Sequence, residues 1–481
     1  MIKILSLMRI FCFIFLIFNL SVTYAQKATL TDASEFNIRR DDFYILGKWK
    51  NWTAVYLRNG NEYKLICFDQ QGHKVKQFIL NELQDDCEEV RLTPSGESIS
   101  ISWEKIEQKK KTVYVSRIDE NGRMQPAREV FSVPHGNFRR INLQYGVSPD
   151  KNYQVVFCEI REDDMHVLKA CILDAGMGVK KNVEQKISEK DFTLTEKVFI
   201  SNSGHVYILA SETPNQKGAM EGLRLLSCKN AEQSFVSYEI PLNKHHVSQV
   251  QLCQDPPNAN LYICGYYGDG KYSSPKGLFF SVFNEDQQAP TVSHFTPVAM
   301  QVTGYKADLR DMKIKHVSIK QDGGVELAAE RTYQNIRTLV SQNPAMTTSM
   351  VPMPESTRSV NEFYYDEIAV FNLKLDGTLL WNQIILKEQM TTEDAGIYSS
   401  FGLMEYPKGK IFVFNDFSSK KSRLIAAYLS AKGDHQMKEL PVSNVDSDWD
   451  LLPRSSIQTG KTEIWIPALQ NGYICFLKLA Y

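Results

Sequence analysis

The chain has 481 residues, with 55 Lys plus Arg against 56 Asp plus Glu, so its net charge is close to zero. That balance leaves no basic excess to bind nucleic acid by counterion release and no long basic block for an anionic membrane. Aromatic residues make up 11%, which suits a chain of packed strands rather than a disordered one.

The first residues read as a leader. Lys3 and Arg9 give a positive start, and Ile10 to Val22 is an apolar run. The run is shorter than the about 20 apolar residues a membrane-spanning helix needs. Thr23-Tyr24-Ala25 then forms the kind of site a signal peptidase reads. The expectation is a cleaved secretory signal over residues 1–25, with Met8 as an alternative start. Cys12 lies too early in the run for a lipoprotein site. No later stretch is apolar enough to span a bilayer, so the mature chain is expected to have no transmembrane segment. Its expected location is exported: periplasmic, cell-surface or extracellular.

Beyond the leader remain eight cysteines: Cys67, Cys87, Cys158, Cys171, Cys228, Cys253, Cys264 and Cys475. Export permits disulfides. No CxxC pair and no Cys/His metal spacing occurs, so no metal and no cofactor is expected. Most of these cysteines lie in apolar strands and read as buried thiols. Cys158/Cys171 and Cys253/Cys264 are the two pairs placed to face each other on neighbouring strands.

In chain order the sequence then repeats one theme. Strand–turn–strand segments occur at Leu92–Trp103, Val147–Phe157, Ile200–Ala210, Cys253–Tyr267, Ile319–Ala329, Glu405–Asp416 and Ile457–Ala468. Each but the last is followed by a second hairpin, such as Thr112–Phe131 with Asn121-Gly122 at its turn. The clearest is Asp366–Leu386, where Asp376-Gly377 supplies the backbone angles of a two-residue primed turn. Successive turns at Gly96, Lys151, Gly204 and Asn258 are spaced by about 54 residues, a period that signals a four-strand unit.

Residues 26–481 therefore read as one all-β domain, a β-propeller of four-stranded antiparallel blades. Eight blades fit best and seven is the alternative; an open pair of β-sandwiches fits the regular period poorly. The chain ends after a third strand, and Lys27–Phe36 is expected to supply the missing outer strand and close the ring. The turns TPSGESISIS and SPDKNYQVVF resemble the SPDG-type inner turns of bacterial exported propellers of the TolB and WD40-like kind. The hairpin DEIAVFNLKLDGTLLW followed by KEQ resembles uncharacterised secreted propeller proteins. The resemblance implies fold alone and transfers no functional residue.

Function is expected on the face that carries the connections between each blade's second and third strands and those between blades. Two gaps in the repeat are oversized there. Residues 333–365 read as a polar insertion loop without strand periodicity, and Ala299–Met312 lies between two blades. With Lys387–Gly396 these segments are expected to wall the central mouth, with Tyr364, Tyr365, Lys387, Gln389, Glu393 and Asp394 near it. Asp446, Asp448 and Asp450 alternate like the start of a calcium loop, but Leu451 stands where Gly is needed and Ile457 where Glu is needed. His245-His246 is a vicinal pair without a third ligand nearby.

No HExxH, GxSxG, Walker or sialidase-type motif is present. The reading is an exported, non-catalytic propeller that binds an envelope protein or a glycan through its loop-rich face. The alternatives are a glycan-processing enzyme with two carboxylates facing across the mouth and a structural envelope component.

Overall fold

The structure is a computed structural model and describes residues 27–481 apart from 84–86, 137–140, 163–164, 188–191, 213–218, 256–259, 286–288, 291–292, 303–304, 342–355, 419–422 and 441–448. The expected leader lies outside the described residues.

Among the described residues eight antiparallel sheets of four or more strands follow one another along the chain, the first seven each built on a four-stranded meander. The first seven span residues 42–79, 87–134, 144–187, 192–240, 246–297, 312–385 and 401–439. The eighth is made of the last strands, Glu463–Gln470 and Tyr473–Ala480, with short strands at Asp450–Leu451 and Ile457–Gly460 beside them. Its far edge is taken by Lys27–Leu30, which runs antiparallel to the final strand with Lys27 opposite Ala480 and Leu30 opposite Leu477. The described residues contain one 3-10 turn, Pro453–Ser455, and no α-helix.

Both faces of each sheet are buried because neighbouring sheets share apolar clusters. Trp49, Leu65, Ile101 and Trp103 join the first two sheets. Clusters of the same kind join each later pair in turn, as with Tyr266, Phe280, Leu327 and Phe371 between the fifth and sixth. One further cluster joins the last sheet to the first through Val55, Phe68, Trp465 and Phe476. This continuous apolar filling explains why the strands lack clean inside–outside alternation. Polar contacts cross the same seam. Glu463 of the eighth sheet lies 2.9 Å from Lys48 of the first and 3.0 Å from Lys478, and it accepts hydrogen bonds from Thr459 and the Trp465 indole. The arrangement is propeller-like: repeated sheets, each packed on the next.

The first strands of neighbouring sheets are tied by glutamine side chains that behave as extra backbone amides. Gln249 donates to the Met312 carbonyl and accepts from the Ile314 N–H. Gln458 does the same for both backbone groups of Glu405. Gln249 has the positive φ of a bulged residue, and its strand loses register between Ser248 and Gln251, which turns the side chain towards the neighbouring strand.

Turn chemistry departs from expectation at Asp376-Gly377. The turn is longer than two residues: Lys374 N–H donates to Thr378, Gly377 N–H donates to Lys374, and only Gly377 takes a positive φ, of 77°. That is a type I turn closed by a bulge residue in the left-handed region. The Asp376 carboxylate accepts the Thr378 N–H instead of adopting a left-handed conformation. Asp69 to His73 and Asp119 to Arg123 repeat the same bond pattern.

The insertion in the sixth sheet is a second correction. Residues 333–341 and 356–365 are not loop. They extend two long strands, Val325–Ser341 and Ser356–Leu373, that pair without interruption from Thr332/Tyr365 to Ser341/Ser356. Met390–Thr392 adds a short strand against Glu362–Tyr364. The polar composition hid the strands because this ribbon stands beyond the sheet, where neither face has to be apolar throughout. The other oversized gap also contains strand: Met300–Val302 pairs with Tyr305–Ala307.

Candidate functional site

The six residues singled out from sequence all lie around the base of this ribbon, but they do different work. At the base, the ladder slips between Glu330 and Thr332, so Asp366 and Glu367 stand against a single residue, Arg331. Such a bulge bends a strand pair away from its sheet. Arg331 holds the bend. Its guanidinium lies 2.8 Å from Glu367 and donates to the carbonyls of Arg310 and Asp308, which belong to the linker from the fifth sheet.

Lys387 is inside the protein. Its ammonium lies 2.8 Å from Glu330, and it donates to the Tyr365 carbonyl and to the Gln389 side chain. Burial pushes the Lys387 pKa down, and the Glu330 carboxylate opposes that. Glu330 also accepts from the Ser400 hydroxyl at 2.6 Å. Gln389 accepts the Ser400 N–H and donates to the Asn415 carbonyl, while Asn415 donates to the carbonyls of Tyr398 and Leu451. This buried polar chain fastens the sixth, seventh and eighth sheets together. Sequence reasoning missed Glu330 and Asn415. The signal for Glu330 was a carboxylate at an alternating position in the apolar strand VELAAE.

Glu393 and Asp394 serve the backbone. Glu393 accepts the Asn361 N–H, which fastens the Lys387–Gly396 segment to the ribbon. Asp394 accepts the Gly396 N–H within its own turn.

Tyr364 and Tyr365 are half-buried. Tyr364 stacks on its cross-strand partner Tyr333, with ring centroids 4.6 Å apart and planes 6° from parallel. Its hydroxyl donates to Glu362, and that hydrogen bond raises the phenol pKa. Burial, helped by the neighbouring Asp366, raises Tyr333 to about 12. Burial also raises Asp366 above the usual carboxylate range. Tyr365 receives a hydrogen bond from Arg454 of the 3-10 turn and faces Lys315 at 5.8 Å.

Above this base the ribbon is open. Pairing on the outer side of Val325–Ser341 stops at Met312/Arg331. From Tyr333 onward no strand among the described residues covers that edge. Tyr333, Ile336 and Leu339 are exposed along it, Ile336 by 63%.

Elsewhere, a polar cleft of about 570 Å³ opens between the first two sheets, lined by Asp42, Arg58, Glu88, Glu89 and Lys111. The two histidines of the vicinal pair diverge: His245 packs on Phe295 and Tyr267, whereas His246 faces Glu221. Asp450 is described, at the edge of the eighth sheet, while Asp446 and Asp448 lie outside the described residues. No group of three or more His, Cys, Asp or Glu among the described residues is placed to hold a metal ion. All eight cysteines are free thiols, and only Cys253 is less than fully buried. Cys158 stands opposite Lys169 and Cys171 opposite Val156, so that pair is diagonal.

No family model and no curated protein matches the chain. Among solved structures it is similar to prolyl oligopeptidase B from Galerina marginata, at 9% identity and a TM-score of 0.40, over 92% of this chain and 55% of that one. It is also similar to a puromycin hydrolase, at 10% identity and a TM-score of 0.37, over 84% and 53%. An apocarotenoid oxygenase mutant from Synechocystis gives 8% identity and a TM-score of 0.34, over 73% and 74%. The chain spans little more than half the length of the oligopeptidase, and at these scores the likenesses carry no statement about activity.

Proposed function

We propose that the eight sheets are the blades of a closed propeller, exported from the cell, that binds a protein partner through the ribbon of its sixth blade. Support for the ring comes from the cycle of shared apolar clusters and from the strand Lys27–Leu30 completing the last sheet. Support for export comes from the leader-like first residues. The turn motifs support a relationship to exported propellers of the TolB and WD40-like kind.

The observation that carries the binding reading is the uncovered edge of residues 333–341. An exposed strand edge offers a row of unpaired backbone donors and acceptors to an incoming extended segment. Tyr333, Ile336 and Leu339 add apolar contacts beside it. The fixed base, clamped by Arg331 and by the Glu330–Lys387 pair, presents this edge at a defined angle.

The test is site-specific photo-cross-linking in producing cells. A cross-linker at Ile336 is expected to give a discrete protein adduct, and one at the exposed Val179 of the third sheet is not. Equal or absent adducts at the two positions would remove the basis of the reading.

A second reading, a glycan ligand or substrate, draws on the cleft between the first two sheets. Its mixed carboxylates and cations suit hydroxyl groups. Glu88→Gln with Glu89→Gln is expected to abolish glycan retention on an array under this reading and to leave it unchanged under the first.

A further inference from the structure

Lys181 of the third sheet and Cys228 of the fourth form a contact that the proposed function does not use. The Lys181 ammonium lies 3.2 Å from the Cys228 sulfur, 2.7 Å from the Lys229 carbonyl and 3.5 Å from the Asn230 carbonyl. Both side chains are buried. Among the described residues no carboxylate lies within ion-pair distance of Lys181. A buried lysine normally has one, because an unpaired charge in the interior is costly. Here a thiol and two carbonyls occupy the place of the carboxylate.

Cys228 is buried but lies two residues from the surface. Cys228 ends the strand Gly222–Cys228, and the chain emerges at once into a turn where Lys229 is half-buried and Asn230 exposed. Cys171 and Cys475 are equally buried and, like Cys228, belong to apolar clusters; what sets Cys228 apart is the ammonium against its sulfur.

We propose that Lys181 and Cys228 form an oxidative cross-link, with hydrogen peroxide as the oxidant. Peroxide converts the Cys228 thiol to a sulfenic acid and releases one water. The Lys181 amine, after giving up its ammonium proton, attacks the sulfur. A sulfur–nitrogen bond forms and the sulfur–oxygen bond breaks. The departing hydroxide takes a proton from the nitrogen and leaves as a second water. In total, thiol, amine and one peroxide give a sulfenamide and two waters. Two equivalents of thiol reverse it, restoring Cys228 and Lys181 and yielding a disulfide. The link would join the third and fourth sheets covalently, so these two sheets would respond to the redox state of their compartment.

The test uses the full chain, purified reduced, exposed to graded hydrogen peroxide and digested without reductant. Mass spectrometry is expected to find the Lys181 and Cys228 peptides joined, short of two hydrogens relative to their sum. Dithiothreitol should release them. Lys181→Arg, which keeps the cation but not the nucleophile, should lose the joined species. If that variant fails to fold by circular dichroism, Cys228→Ser takes its place and must also lose it. Thiol labelling after denaturation should show Cys228 consumed at peroxide levels that leave Cys171 and Cys475 free. A Cys228 that stays free, or that proceeds to sulfinic acid without joining Lys181, would overturn the proposal.

Discussion

Lys387 and Glu330 form an ion pair at 2.8 Å in which neither side chain exposes more than 1% of its surface. It lies where the ribbon leaves the sixth sheet: Lys387 also donates to the Tyr365 carbonyl at the ribbon base, and Glu330 accepts from Ser400, next to the first strand of the seventh sheet. Removing Glu330 leaves the Lys387 charge buried without its carboxylate, whereas removing Lys387 leaves Glu330 with only the longer pair to Lys315 at 3.7 Å; breaking such a buried pair costs about 3–5 kcal/mol. Lys387→Met and Glu330→Gln are each expected to lower the unfolding free energy by that order in urea titrations. The double variant Lys387→Met/Glu330→Leu should recover much of the loss. If the single variants unfold at the wild-type urea midpoint, the pair does not hold the base.

The seam between the first and last sheets should respond to acid. Burial works against ionisation of Glu463, but hydrogen bonds from Thr459, Lys48 and Lys478 hold its carboxyl down to about 2. Because the folded value lies below the unfolded one, the stabilisation is fully present above the unfolded pKa of about 4.3 and lost as pH falls towards 2. The shift corresponds to roughly 2–3 kcal/mol at neutral pH. Thermal melts of the wild type and Glu463→Gln should differ most near pH 7 and converge as the pH is lowered through that window. A gap that stays constant with pH would contradict this assignment.

Two glycines in the left-handed region separate backbone strain from crowding. Gly96 has a φ of +59° and open space where a Cβ would stand, whereas at Gly377 a Cβ would come within 2.4 Å of His294. Gly96→Ala should cost about 1 kcal/mol from conformation alone. Gly377→Ala should cost about 1–3 kcal/mol more, because His294 must move. Denaturant midpoints with unchanged slopes would measure the difference.

The ribbon should be removable. The described part of residues 335–362 contributes few large buried apolar groups, and the Tyr333–Tyr364 stack would survive replacement of that segment by a two-residue turn joining Gln334 to Phe363. The thermal midpoint is expected to stay within about 3 °C of wild type. A large drop would make the ribbon part of the core rather than an appendage.

The eight strand units were legible because burial on both faces leaves dense apolar runs between turn residues. The partner of the last strand was legible because the final unit lacked one strand and Lys27–Leu30 had the pattern to supply it. The ribbon was not. In TYQNIRTLVS the ladder hydrogen bonds are satisfied locally by the returning strand, so no core demands an apolar period. The burial of Lys387 and Gln389 was invisible for another reason. Their partners Glu330, Ser400 and Asn415 come from other elements, and KEQ alone reads as a solvated turn.

The pairing of Lys27–Leu30 with the final strand also sets an order of events. The eighth sheet combines one of the earliest described segments with the latest, separated by almost the whole sequence. Contacts this distant in sequence are the slow ones to form. During synthesis the first strand must wait, its edge open, until the last residues are available. The first seven sheets can stack on one another before then, but the seam between first and last closes only at the end. Damage to the closing strands should therefore trap a nearly complete stack with an exposed flank, a species prone to associate with its own kind.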